Sequence, residues 1–147
     1  MTGHPVERPV ALAVVDTLNT ALGAGRAGYG RTPDGGGWHA APGPAAPFTG
    51  YAVVWPGQAL PAGGTAAQPD ADADHTVQVT YIGRVPEQAD ELRDRGRAAL
   101  LTADLTVPGR HAWPVRLADS QPVRRDDDPT PALWYAIDRY LIHTVPA

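Results

Sequence analysis

The chain has 147 residues, a hydrophobic share of 43% and a formal net charge of −4 at pH 7. That length supports one hydrophobic core, burying roughly two-thirds of the surface the unfolded chain exposes. Cysteine is absent, which excludes disulfides, thiolate metal sites, iron–sulfur clusters and thiol nucleophiles, and the acidic balance does not suit a protein that grips nucleic acid through its phosphates.

No apolar run reaches the roughly 18 residues a membrane span needs. Met1 to Pro9 lacks the basic-then-apolar pattern of an export signal, so folding in the cytosol is expected. Gly and Pro contribute 16 residues each, which predicts long irregular connections on a single core.

Pro9 to Leu22 sets Val10, Val14, Leu18, Ala21 and Leu22 at helical spacing, with Leu12 and Val15 widening the apolar face, and Gly23 and Gly25 end it. Gly23 to Thr49 has no regular period and is expected to be an extended loop or arm, in which Trp38 and Phe48 stand out. Tyr51 to Trp55 predicts a short strand stopped by Pro56 and Gly57, and Gln58 to Asp74 a second loop. His75 to Ile82 alternates Val77, Val79 and Tyr81 with Thr76, Gln78 and Thr80, the pattern of a half-buried antiparallel strand.

Val85 to Ala103 predicts a second helix, with Ala89, Leu92, Gly96, Ala99 and Leu100 on one face and Glu87, Asp90, Glu91, Arg93, Asp94, Arg95 and Arg97 on the other. Gly96 costs about 1 kcal/mol against Ala there; close approach of the helix to a sheet is the expected compensation. After the Pro108–Gly109 turn, His111 to Leu117 predicts a strand, Asp119 to Pro131 a polar excursion, and Leu133 to Val145 the longest strand, with Leu133, Tyr135, Ile137, Leu141 and Val145 on one face. The expected fold is a single α+β domain over residues 1–147: a mainly antiparallel four-stranded sheet, two helices on one face, order α-β-β-α-β-β, and a long Gly/Pro-rich loop after the first helix.

Candidate chemistry is sparse. Asp70, Asp72 and Asp74 open like a calcium loop, but His75 stands where the loop needs Gly and Tyr81 where it needs a bidentate Glu. His4, His39, His75, His111 and His143 are scattered without ligand spacing. Ser120 lacks the glycine-flanked elbow of hydrolases, and Gly35 to Gly37 follows no strand and has no Lys. No catalytic residue, cofactor or metal is expected. Arg124, Arg125, Asp126, Asp127 and Asp128 form the densest charge run, a solvated turn or a contact between subunits.

Against this background the second half, His75 to Ala147, resembles the tail terminator (tail completion) proteins of long-tailed phages, particularly of actinobacterial hosts. The resemblance rests on the strand TVQVTYIG, the helix VPEQADELRDRGRAALL, the turn LTVPGR and the stretch SQPVRRDDDPTPALWYAIDRYLIHTVPA; the N-terminal helix and YAVVWPG match more loosely. It implies a non-enzymatic virion subunit. Such subunits assemble, often six at a time, into a ring on the head-proximal end of the tail tube. There the ring stops tube growth and presents a surface to the head-tail connector or stopper protein. Expected partners are further copies of the chain, the tail tube protein and that connector, with DNA only as passing cargo and no membrane. Arg124 to Asp128 and Trp38 are expected at subunit or partner contacts, and Asp70, Asp72 and Asp74 toward the lumen, where negative charge lets DNA slide.

Three other readings compete. One is a head-completion or connector protein of the neck. Another is a small-ligand or peptide-binding module with Trp38, Trp55 and Trp113 lining a cleft. The third is an enzyme built on Ser120, His111 and Asp119.

Overall fold

The computed structural model describes residues 7–61 and 72–147. Helix α1, Glu7–Leu22, buries Val10, Val14, Leu18 and Leu22, each fully buried aliphatic side chain contributing roughly 1.5–3 kcal/mol. Gly23, at φ 122°, takes the chain out of the helix in a conformation that favours glycine. Asn19 then ties the exit down: its Oδ1 accepts from the backbone N–H of Arg26 (3.0 Å) and Ala27 (2.8 Å).

The Gly/Pro-rich segment 23–49 is not structureless. It holds strand β1, Ala27–Tyr29, and a two-stranded hairpin of β2, Gly37–Trp38, with β3, Phe48–Thr49. Strand β4, Tyr51–Pro61, pairs in parallel with β1 and antiparallel with β5, Ala73–Gly83. Helix α2, Pro86–Thr102, starts with Pro at its first position, where the missing N–H costs nothing. Two short strands follow, β6 Thr106–Val107 and β7 Arg110–Ala112, and then two long ones, β8 Arg116–Asp126 and β9 Leu133–Pro146.

The main sheet runs β1-β4-β5-β9-β7-β6, with β8 also paired to β9, seven strands in all. The expectation of a four-stranded, mainly antiparallel sheet in the order α-β-β-α-β-β is therefore corrected to a strand-rich, mixed seven-stranded sheet. Three causes account for the difference. Strands β1, β6 and β7 are two or three residues long, too short to show a period. The β1–β4 pairing is parallel. Strand β8 occupies most of the expected polar excursion and is exposed along nearly its whole length, so no apolar alternation marks it.

Both helices lie on one face, where their apolar side chains join Ala52 and Val54 of β4, Val77, Val79 and Tyr81 of β5, and Ala136, Tyr140 and Ile142 of β9 in one core. A Cβ on Gly96 of α2 would lie 2.5 Å from the Tyr81 ring, so the helix rests on the sheet where its side chain is missing. Among the described residues the other face of the sheet carries no helix. There the alternate β9 positions Leu133, Tyr135, Ile137, Leu141, His143 and Val145 are half-buried.

Candidate functional site

The helix-free face is concave at both ends. At one end Tyr51, Thr80, Ile82, Leu133, Tyr135 and Ile137 line a cavity of about 410 Å3, with Arg125, Asp126 and Pro129 on its rim. At the other end Trp113, Pro114, Leu141, Asp74, Arg116 and His143 line one of about 420 Å3. Both lie within the range of 300–1,000 Å3 that seats ligands or partner side chains.

The second cavity is built on a fixed base. His143 Nδ1 lies 2.7 Å from Asp74 Oδ1, and the register places these two residues directly opposite each other. The Trp113 ring meets His143 edge-on at 4.7 Å, and its backbone N–H donates to the His143 carbonyl at 2.8 Å. Trp113 is nonetheless 58% exposed, the most open of the large apolar residues among those described.

The first end is dominated by Arg84, which sits between β5 and α2. Its Nη1 donates to the Ala46 carbonyl (2.9 Å) and its Nη2 to the carbonyls of Gly43 (3.0 Å) and Pro44. The guanidinium also stands 5.2 Å from the centre of the Trp38 ring, within cation–π range. Trp38 in turn packs on Phe48, ring centres 5.0 Å apart. One arginine thus holds the arm that follows β2 against the end of the sheet.

Between α2 and the sheet lies a buried polar network. Asp138 is fully buried; Arg97 donates from Nε to its Oδ2 (3.0 Å) and from Nη2 to its Oδ1 (2.8 Å), and Tyr140 Oη donates to Oδ2 (2.8 Å). Tyr81 and Tyr140 share a hydroxyl contact of 3.1 Å, and Arg97 reaches Ser120 Oγ on β8 at 2.8 Å. Burial pushes the Asp138 carboxyl up, but hydrogen bonds from Arg97, Ser120 and Tyr140 together with the Arg97 charge outweigh it, and the net shift is downward. The Tyr140 and Tyr81 hydroxyls are both pushed well above the ordinary phenol range, burial being the largest cause. This set of groups bolts α2 to β8 and β9.

The residues singled out from sequence fall at opposite ends of the sheet. Arg124 to Asp128 run from the end of β8 into the following turn, where Arg125 and Asp127 make an exposed ion pair at 2.7 Å and Asp126 Oδ1 accepts from the Asp128 N–H at 3.1 Å. Trp38 sits at this same end, against Arg84. Asp72 and Asp74 lie at the far end, Asp72 at the bend before β5 and Asp74 bound to His143; Asp70 lies outside the described residues. Among the described residues no group of three His, Cys, Asp or Glu side chains is placed to hold a metal ion, and no helix is long and apolar enough to cross a membrane.

Of Trp38, Trp55 and Trp113, Trp113 lines the cavity at its end of the sheet, while Trp38 lies at the opposite end against Arg84. Ser120, His111 and Asp119 do not converge either. Ser120 pairs with Asp138 and His111 with Val145 on β9, seven strand positions and roughly 24 Å apart, and Asp119 is engaged by Arg139 at 3.0 Å. Sequence reasoning missed Arg84, Arg97 and Asp138. The one available signal was Asp138 in the middle of the longest strand, where a charge needs a partner.

No protein-family model matches the chain, and a comparison with curated proteins returns no match. Among solved structures, a chain from the virion of a native gene transfer agent (GTA) particle is similar in fold. Its TM-score is 0.66 at 19% identity, and the match covers 99% of this chain and 100% of that one. The two chains share a fold from end to end.

Proposed function

We propose that this chain is a structural, non-enzymatic subunit of a phage-like virion, and specifically a tail terminator that assembles as a ring on the head-proximal end of the tail tube. The observation that carries the reading is the end-to-end fold likeness to a chain of a virion particle, to which the sequence resemblance of the second half adds the specific position. The surface supports it. A helix-free sheet face with a row of half-buried apolar side chains suits a subunit whose neighbours complete its burial. Strand β8 is an outer edge strand carrying Pro122, two register shifts and several charges, features that block indiscriminate strand pairing and leave side-chain contacts to choose the partner.

In this reading the Arg124 to Asp128 turn and the Trp38 arm belong to subunit or partner contacts, and Asp72 turns toward the lumen. Asp74 serves the His143 cavity instead. The ring stops tube growth and offers the connector a docking surface. Mixing the purified protein with growing tail tubes tests this: capped tubes of uniform length are expected, and tubes that elongate as they do without it would exclude the role. Charge reversal at Asp72 and across Arg124 to Asp128 tests the placement, which fails if ring formation and tail length are both unchanged.

A further inference from the structure

The arm and the Trp113 cavity are complementary features of one chain that cannot meet within it. Arg84 turns the carbonyls of Gly43, Pro44 and Ala46 inward, and the side chains left outward are small and apolar: Ala40, Ala41, Pro42, Pro44, Ala45 and Pro47 are all exposed. The result is a prefolded Ala/Pro knob. A preformed apolar knob of this kind, turned at Gly43 to Ala46, suits a groove walled by aromatic rings, because little conformational freedom remains to be lost on docking. The cavity at the other end offers such walls, the exposed Trp113 ring with Pro114 and Leu141, and a polar floor of His143 and Asp74.

The β5–β9 register sets the distance between them. The cavity lies at the Asp74–His143 pair and the arm is anchored beside the Gly83–Trp134 pair, nine strand positions or about 30 Å away. A knob held by Arg84 cannot reach its own cavity. From this we infer that the Ala40–Pro47 knob of one copy seats in the Trp113 cavity of the next. Donor and acceptor surfaces differ, so the contact is heterologous, and repetition closes a ring where the rotation between copies permits. The inference deepens the ring reading and rests on it.

The cysteine-free sequence makes a direct test simple. Single variants Ala45→Cys and Pro114→Cys are mixed under mild oxidation, and self-association is followed in parallel by sedimentation. The mixed disulfide dimer is expected to dominate over both symmetrical dimers, and a chain carrying both substitutions is expected to give a ladder of linked copies. Adding Trp113→Ala to the cleft partner should lower the mixed product about tenfold or more, the effect of removing an aromatic anchor. Arg84→Ala in the arm partner should lower it from the opposite side without touching the cleft, which guards against a misfolded Trp113 variant.

Self-association with no preference for the mixed disulfide would overturn the docking and leave the ring standing. The absence of both, at the highest soluble concentration and also in the presence of tail tubes, would overturn the two together. A mixed product unaffected by either substitution would show the contact to be incidental and would also overturn the inference.

Discussion

At the scale of single residues the deciding feature is a buried carboxylate. Asp138 has no exposed surface, and both of its oxygens are taken by Arg97 and Tyr140. Removing one member of a buried pair strands the other, at a cost of about 3–5 kcal/mol. Because the Arg97 side chain is 29% exposed, Arg97→Ala is expected near the lower end, about 3 kcal/mol, measurable by urea denaturation. The depressed carboxyl also sets a pH dependence. Its contribution to stability is complete above the unfolded value of about 3.9 and is lost as pH falls through the lower folded value. Wild-type protein should therefore lose melting temperature below about pH 4 more steeply than Asp138→Asn; equal slopes would show that Asp138 is not the group responsible. Gly96 was the residue whose role could be read in advance: a glycine in an apolar helical stripe implied close approach, and the Tyr81 ring is what it approaches. Gly96→Ala should thus destabilise despite its better helix propensity, by about 1–3 kcal/mol from overpacking.

At the scale of elements, periodicity located α1, α2, β5 and β9, because each buries enough apolar side chain at a regular spacing to leave a mark. Periodicity alone does not tell which face of β9 is the interior. The row Leu133, Tyr135, Ile137, Leu141 and Val145 reads as the apolar face, yet it is half-exposed, while Ala136, Asp138, Tyr140, Ile142 and Thr144 are fully buried. The inner face could accept Asp138, Tyr140 and Thr144 because helix-borne and cross-strand partners satisfy them. Ile142→Ala should accordingly cost about 2–5 kcal/mol by leaving a core cavity, and Ile137→Ala distinctly less; the reverse order in chemical denaturation would mean that the open face is covered in the isolated protein. Strand β8 was invisible for the opposite reason, since an exposed edge strand has no buried side chains to report it. Whether the arm is ordered could not be read from its own residues, because its anchor, Arg84, lies 38 to 41 residues further along the chain. Limited proteolysis of Arg84→Ala should cut within residues 40–47 faster than in wild type, with thermal stability of the core nearly unchanged.

At the scale of the whole molecule, the sheet presents a helix-covered side, an open side, and two ends of different chemistry. Arg84, Trp38 and the Arg124 to Asp128 turn gather at one end, and Trp113, His143 and Asp74 at the other. Sequence singled out members of both groups but not their separation, because only the β5–β9 register tells which residues share an end. The distinct ends and the open face are the features on which the proposed assembly rests, and the fold is shared with a chain of a virion particle. Of the candidate enzyme residues, Asp119 and Ser120 are neighbours on β8, while His111 lies seven β9 positions away from Ser120.

Electron microscopy of the negatively stained protein, alone and mixed with tail tubes, tests the ring reading most directly. Closed rings with a central hole, found free or seated on one end of each tube, are the predicted result. A protein that stays monomeric in both preparations and leaves the tube ends bare would contradict it.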